Sequence, residues 1–164
     1  MGNELDLLIV GAGPAGLSVA SRLPTGMAAR VVHQDREIGE PVRTSGGSWL
    51  SDMHKLGIPD KLFHLVRQAE ILSDNRRFNL SLEDDPVVIL DVTGLYKWLA
   101  GQVSVPVSLA TKFLSASPAK GGYLCQLRGP EGPEVVWARQ IIDASGWHMA
   151  VLASLGLALS LIHI

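Results

Sequence analysis

Residues 5–23, LDLLIVGAGPAGLSVASRL, decide the fold of this 164-residue chain. Residues 5–10 are almost wholly apolar, as expected of a short strand that is buried on both faces inside a parallel sheet. A glycine-rich turn over residues 11–16 follows at once, and residues 17–23 then have good helical character. The order strand, glycine turn, helix predicts the opening unit of an α/β domain with a parallel sheet.

The turn has the G-x-G-x-x-G pattern of dinucleotide-binding proteins, and we predict that its six residues contact a cofactor: Gly11, Ala12, Gly13, Pro14, Ala15 and Gly16. Gly11 permits the tight turn, Gly13 lets the backbone approach a diphosphate, and Gly16 lets helix and strand pack closely. The unpaired N–H groups of the helix start favour an anionic diphosphate. The alternative is a glycine turn that merely joins two elements, but a second strand predicted at Ala29–Val32 favours the dinucleotide.

The end of the second strand lacks the acidic residue that usually accepts hydrogen bonds from the adenosine ribose. His33 and Gln34 follow the strand, and the first carboxylate is that of Asp35. Asp35 is one candidate for the ribose, and His33, through a ring nitrogen, is another; a histidine that only faces water is a further interpretation of His33. We assign His33, Gln34 and Asp35 together to the predicted cofactor site.

Two later motifs resemble those of a known family. Residues 37–47, EIGEPVRTSGG, resemble a signature of the geranylgeranyl reductase family of FAD-dependent oxidoreductases. Residues 140–146, QIIDASG, resemble the strand and Ala-Ser-Gly turn that close the cofactor domain in that family. The resemblance spans nearly the whole chain and implies a Rossmann-like FAD-binding domain with FAD as cofactor.

The resemblance also implies which other residues contact FAD. Arg43 would lie near the FAD phosphates or ribityl chain, where its guanidinium offers a fixed fork of donors; a solvated surface arginine is the alternative. Ser45 and Gly46 would pass close to the isoalloxazine ring. The remaining implied contacts are Phe113, whose backbone would face the adenine, and the closing turn of Ala144, Ser145 and Gly146.

Between the motifs the sequence predicts further elements. Helices are expected over residues 50–56, in a short run up to Val66, over residues 94–103 with Asp91 or Thr93 as cap, and over residues 147–158. Strands are expected over residues 71–72, 76–82, 87–90 and 105–109, with a three-stranded β-meander over residues 112–116, 123–128 and 134–138. We predict a partial FAD-binding domain over residues 1–158, and the resemblance assigns residues 68–90 within it to the first strands of a substrate domain.

Composition excludes several function classes. The formal net charge is −2, so there is no excess of Lys and Arg to neutralise the phosphates of a nucleic acid. The single cysteine, Cys125, excludes an intrachain disulfide or a multi-thiolate metal site, and its place on a strand face predicts a buried, inert thiol. Residues 149–164 lack Asp, Glu, Lys and Arg but are too few for a membrane span. We expect a cytoplasmic protein, with peripheral membrane contact left open.

The end of the chain carries a further hypothesis. Residues 159–164, LSLIHI, match the translation of a transposon mosaic-end adapter used in some sequencing libraries, and a natural apolar tail is the alternative. The family also has a later Gly-Asp motif and a substrate domain. We therefore expect an N-terminal fragment, truncated before the substrate domain is complete and poorly stable.

The resemblance implies the reaction of the intact enzyme. It would use reduced FAD to reduce carbon-carbon double bonds of an isoprenoid chain, with NAD(P)H as candidate electron donor, and no catalytic residue is implied in this segment. The alternatives are a flavin monooxygenase of related fold and an inactive nucleotide-binding fragment. An NAD-binding domain shares the glycine motif, and only the signature at residues 37–47 and the meander favour FAD.

Overall fold

The computed structural model describes residues 4–157, which form two compact units. In chain order the elements are β1 (Glu4–Val10), α1 (Pro14–Ala20), β2 (Ala29–Val32), β3 (Gly47–Trp49), α2 (Leu50–Lys55), β4 (Phe63–Val66), β5 (Gln68–Ser73), β6 (Arg76–Ser81), β7 (Val87–Leu90), α3 (Val92–Ala100), β8 (Val107–Ser108), β9 (Lys112–Ala119), β10 (Gly122–Gly129), β11 (Gly132–Asp143) and α4 (Ala150–Ser154). The first unit consists of residues up to 40 and from 96 onward, and the second of residues 41–95. No helix among the described residues is long and apolar enough to cross a membrane.

The first unit is built on a mixed sheet in the order β8-β2-β1-β11-β10-β9. Strands β8, β2, β1 and β11 run parallel, whereas β10 is antiparallel to both β11 and β9. Strand β11 serves both halves, because its first part pairs with β10 and its second part with β1. The parallel sheet and the β-meander are therefore one continuous sheet.

Both faces of this sheet are covered by apolar side chains. Along β1, Leu8 and Val10 belong to one buried cluster, and Leu7 and Ile9 belong to the other. The first cluster also contains residues of the meander and Val151 of α4, and the second contains residues of α1 and β2. A strand that buries alternate side chains on opposite faces has to be apolar along its buried part, which is the pattern of residues 7–10.

The second unit contains two small antiparallel sheets. One has the order β3-β7-β4, and the other is the hairpin of β5 and β6. Three large apolar side chains of the hairpin, Ile71, Leu72 and Phe78, are between 58% and 61% exposed. An isolated two-stranded hairpin of this kind has little apolar burial to stabilise it.

The predicted fold class is confirmed: the first unit is an α/β structure with a parallel sheet and a three-stranded meander. Cys125 is confirmed as a buried thiol with 0% exposure, and its burial raises its pKa to about 11. The Asp91 cap of α3 is also confirmed, since Gly94 donates its N–H to Asp91 Oδ1 at 2.9 Å.

One predicted helix is wrong, and other boundaries move. The helical run up to Val66 is a 3-10 turn over Asp60–Leu62 followed by strand β4, because Phe63–Val66 pairs antiparallel with Val87–Leu90. Tertiary strand pairing here overrides the local pattern. Residues 83–86 connect β6 to β7, and these two strands lie in different sheets. The hypothesis about residues 159–164 lies outside the described residues.

Candidate dinucleotide-binding site

The first unit brings three of the sequence motifs to one edge of its sheet. Val10, the last residue of β1, is in register with Val32 of β2 and with Asp143 of β11. The segments that follow these parallel strands therefore start side by side. Two backbone hydrogen bonds connect these segments to the neighbouring strands. The Gly11 N–H donates to the Val32 carbonyl at 2.8 Å, and the Ala144 N–H donates to the Val10 carbonyl at 2.9 Å.

Packing inside the protein explains two of the three motif glycines. Gly11 has a φ of 114°, and a Cβ placed on it would lie under 3.0 Å from the Ala144 carbonyl. A Cβ on Gly16 would lie under 3.0 Å from the Gly11 carbonyl oxygen and 3.3 Å from the Ala144 Cβ. The glycine turn and the closing turn are thus in direct contact, and neither position leaves room for a side chain.

Gly13 is different from its two neighbours in the motif. A Cβ placed on it would have nothing within 4 Å, and its φ of −79° is one that any residue adopts. Neither side-chain packing nor the backbone conformation therefore requires glycine at this position. Pro14 and Ala15 beside it are exposed, and no side chain caps the first turn of α1.

The segment after β2 places His33 and Asp35 against the glycine turn. The Ala12 N–H donates to His33 Nδ1 at 3.3 Å, and His33 Nε2 lies 3.3 Å from Asp35 Oδ2. Both side chains are mostly buried, with 15% of His33 and 16% of Asp35 exposed. Gln34, between them in sequence, is exposed. Both predicted ribose candidates, His33 and Asp35, thus belong to one hydrogen-bonded group with the turn.

Asp143, at the end of β11, anchors the closing turn. Its carboxylate accepts from the N–H groups of Ser145 (3.1 Å), Val151 (2.9 Å) and Leu152 (3.1 Å), and from the Ser145 hydroxyl (2.5 Å). Burial alone would raise the pKa of Asp143, but hydrogen bonds from Ser145, Leu152 and Val151 outweigh it and lower the pKa. The carboxylate therefore fixes the turn to the start of α4.

This anchoring corrects the predicted helix over residues 147–158. The chain first makes a 3-10 turn over Gly146–His148, and Met149 then has a left-handed φ of 43°. Helix α4 starts only at Ala150, whose N–H donates to the Ser145 hydroxyl at 2.8 Å. The role of Asp143 escaped the sequence interpretation, although an Asp followed two residues later by Ser is a signal for such a turn.

We expect substitution of Asp143 to destabilise the first unit. Asp143→Ala leaves several N–H donors without their acceptor, and we expect a loss of about 2–4 kcal/mol in the free energy of unfolding. Because the folded pKa is lowered, the stabilisation is complete above the ordinary carboxyl pKa of about 3.9 and is lost as the pH falls through the folded value. Urea unfolding at pH 7 should show this loss for Asp143→Ala, and equal stability of the two chains there contradicts the anchoring role. The uncharged Asp143→Asn should also be less stable than the wild-type chain at pH 7. In acid, where the Asp143 carboxyl is protonated, the free energies of unfolding of these two chains should converge.

The structure places the remaining predicted site residues as follows. Phe113 is 7% exposed and belongs to a core cluster with Val10 and Val32, so its side chain is part of the packing. Arg43 and Ser45 lie exposed in the second unit. Gly46, in the same unit, has a φ of 71°, and a Cβ on it would lie 3.0 Å from Val92 Cγ2. It stays a prediction that these four residues contact the same cofactor as the glycine turn.

The chain is similar to known proteins in its three-dimensional structure. No protein-family model and no curated protein matches the sequence. A geranylgeranyl bacteriochlorophyll reductase-like protein from Thermoplasma acidophilum superposes with a TM-score of 0.77 at 22% identity over 96% of this chain and 44% of its own. The p-nitrophenol 4-monooxygenase of Pseudomonas putida gives 0.75 at 14% identity over 93% of this chain and 44% of its own. Aklavinone-11 hydroxylase, solved with FAD and aklavinone, gives 0.63 at 23% identity over 86% of this chain and 33% of its own.

The chain therefore shares the Rossmann-like α/β fold of these proteins. The resemblance to geranylgeranyl reductases is thereby confirmed at the level of the fold. The chain spans less than half of the length of each of these three proteins. A reductase-like protein, a monooxygenase and a hydroxylase occur among them, so the shared fold does not identify one reaction.

Proposed function

We propose that this chain binds FAD at the carboxyl edge of its parallel sheet, as part of a flavin-dependent oxidoreductase. The observation that carries the proposal is the contrast within the glycine turn. Packing requires glycine at Gly11 and Gly16 but not at Gly13, and a diphosphate that approaches the backbone supplies a reason for Gly13. The fold likeness to a hydroxylase solved with FAD supports FAD as the dinucleotide.

Each segment at this edge of the sheet would contact a different part of FAD. The backbone of the turn, Gly11–Gly16 in the motif, would hold the diphosphate, and the segment of His33, Gln34 and Asp35 would hold the adenosine ribose. The closing turn of Ala144, Ser145 and Gly146 would lie beside the cofactor, held in place by Asp143. Arg43, Ser45, Gly46 and the backbone of Phe113 would contribute the contacts that the resemblance implies. Bound FAD would supply the electron transfer, while these residues bind and orient it.

For the intact enzyme we propose reduction of carbon-carbon double bonds in an isoprenoid chain, with NAD(P)H as electron donor. The signature at residues 37–47 and the fold likeness to a geranylgeranyl bacteriochlorophyll reductase-like protein support this reaction. Residues 68–90 would be the first strands of the substrate domain, and the exposed Ile71 and Phe78 fit an apolar role there. An apolar substrate is also consistent with a peripheral membrane contact.

A flavin monooxygenase is the second candidate, and the TM-score of 0.75 to p-nitrophenol 4-monooxygenase supports it almost as well. The two reactions differ in their need for oxygen. A reductase would transfer electrons to a prenyl chain without oxygen, whereas a monooxygenase would consume oxygen in a substrate-dependent manner. The chain as given would bind the nucleotide without turnover in either case, since the resemblance places no catalytic residue in it.

A panel of ligands tests the proposal on the chain as it exists. Isothermal titration should show 1:1 binding of FAD and of ADP-ribose, because both carry the adenosine and diphosphate that the edge would recognise. FMN, which lacks the adenosine half, should bind at least about tenfold more weakly, a difference of about 1.4 kcal/mol. Tight binding of NAD⁺ without binding of FAD would indicate an NAD domain, and a folded chain that binds none of them would overturn the site.

A further inference from the structure

His33 links two parts of the candidate site. Its Nδ1 accepts the N–H of Ala12, which lies inside the glycine turn, and its Nε2 lies 3.3 Å from Asp35 Oδ2. Ala12 is 1% exposed, so its N–H has little access to water as an alternative partner. The imidazole therefore stands between the diphosphate turn and the only carboxylate of the segment after β2, residues 33–36.

The two contacts fix the tautomer of the neutral ring. A backbone N–H can only donate, so Nδ1 must carry a lone pair and the proton must sit on Nε2. Nε2 then donates to the Asp35 carboxylate. Both ring nitrogens of His33 are used in this arrangement, whereas a carboxylate offers about four lone-pair directions and can accept from a ribose hydroxyl as well as from His33.

The backbone around His33 is held as firmly as its ring. The His33 N–H donates to the Ser108 carbonyl at 2.9 Å, and its carbonyl accepts from the Thr111 N–H at 2.8 Å. The Asp35 carbonyl accepts from the Ala110 N–H at 2.8 Å. The backbone that follows β2 is thus hydrogen-bonded to Ser108 of β8 and to the connection between β8 and β9, and it holds the side chains of His33 and Asp35 in place.

We propose that His33 is a positioning residue and that Asp35 is the group that binds the adenosine ribose. Neutral His33 orients the Ala12 amide in the turn and the Asp35 carboxylate towards the ribose hydroxyls. This inference rests on the proposed dinucleotide site, and it settles the choice between the two ribose candidates in favour of Asp35. It also predicts a ligand with a free ribose 2′-hydroxyl, because a 2′-phosphate would be repelled by the carboxylate.

The arrangement makes nucleotide affinity depend on pH. Protonation of His33 puts a proton on Nδ1, which then opposes the Ala12 N–H and disturbs the turn. Residues 11–13, which bond to the ring through Ala12, and residues 108–111, which bond to the His33 backbone, carry no ionisable side chain. An ionisable group in contact with the ring is Asp35, whose Oδ2 lies 3.3 Å from Nε2. The Ala12 N–H points at Nδ1 and has no acceptor once Nδ1 carries a proton, whereas the Asp35 carboxylate can accept from Nε2 in either charge state of the ring.

The test is titration of the full chain with FAD between about pH 8 and about pH 5.5, the range in which imidazole changes its charge. FAD is the probe because its diphosphate is esterified at both ends and keeps its charge in this range. The wild-type chain should lose at least about tenfold in affinity on acidification, equivalent to about 1.4 kcal/mol. His33→Asn retains an acceptor near the position of Nδ1 but does not titrate, so its affinity should stay level across the range. Asp35→Asn should lose about tenfold at both ends.

The outcomes separate this inference from the proposed function. If the wild-type chain and His33→Asn show the same pH dependence, the positioning role of His33 is overturned. If Asp35→Asn binds FAD like the wild-type chain, the assignment of the ribose to Asp35 is overturned. Circular dichroism at both pH values verifies that each variant is folded. Failure of the wild-type chain to bind FAD even at pH 8 overturns the dinucleotide site itself, and the positioning role with it.

Discussion

The Gly16→Ala variant should lose about 3 kcal/mol of unfolding free energy, the upper part of the usual range for overpacking. The added methyl group would lie under 3.0 Å from the Gly11 carbonyl oxygen, which is backbone and cannot rotate away as a side chain can. It would also press on the Ala144 Cβ at 3.3 Å, so strain would spread to the closing turn. For a chain of this size the loss corresponds to a fall of about 6–12 °C in Tm.

The sign of this stability change distinguishes close packing from helix propensity. Gly16 lies in helix α1, where alanine in place of glycine would by itself stabilise the chain by about 1 kcal/mol. Thermal unfolding of Gly16→Ala should therefore show destabilisation where helix propensity alone predicts the reverse. Gly13→Ala is the matched control, because its methyl group has nothing within 4 Å and its Tm should stay close to that of the wild-type chain. A Gly16→Ala chain as stable as the wild type would refute the close packing of the two turns.

The two glycines also show how far the sequence could predict the site. The G-x-G-x-x-G spacing places strand, turn and helix in order, and the structure has β1, the turn and α1 in that order. The same spacing predicts a packing role for Gly16, which its close contact with the Gly11 carbonyl confirms. It also predicts a ligand role for Gly13, which stays a prediction. Short-range backbone geometry is encoded locally, so this part of the fold could be predicted.

Contacts between distant segments could not be predicted in the same way. The two predicted strands over residues 134–138 and 140–143 are one strand, β11, because it pairs with β10 on one side and with β1 on the other. Phe63–Val66 became a strand through pairing with Val87–Leu90. Neither pairing partner is visible in the local pattern of the segment itself.

The candidate site shows the same limit. His33 and Asp35 were both assigned to the ribose, and which role each has depends on the Ala12 N–H, 21 residues earlier in the chain. The anchoring role of Asp143 likewise depends on Val151 and Leu152, whose N–H groups reach back to its carboxylate. Sequence spacing identified the residues at this edge of the sheet, but their hydrogen-bond partners required the structure.

The Gly13→Val variant should lose FAD affinity while keeping its fold. Gly13 is extended, with φ −79° and ψ −175°, which valine adopts without strain, and the space around it is open in the folded chain. Loss of glycine at this helix-capping position should cost the fold only about 1 kcal/mol or less. In the complex, the branched side chain would occupy the path by which a diphosphate reaches the backbone. We expect the affinity for FAD to fall by at least about 100-fold, equivalent to about 2.7 kcal/mol.

The most direct test of the central claim is therefore one calorimetric comparison, FAD titrated into the wild-type chain and into Gly13→Val under conditions where thermal unfolding shows both to be folded. The account predicts 1:1 binding by the wild-type chain, loss of binding by Gly13→Val, and Tm values within about 4 °C of each other, the shift that about 1 kcal/mol produces in a chain of this size. If Gly13→Val binds FAD as tightly as the wild-type chain does, the glycine turn does not hold the diphosphate and the proposed site is wrong.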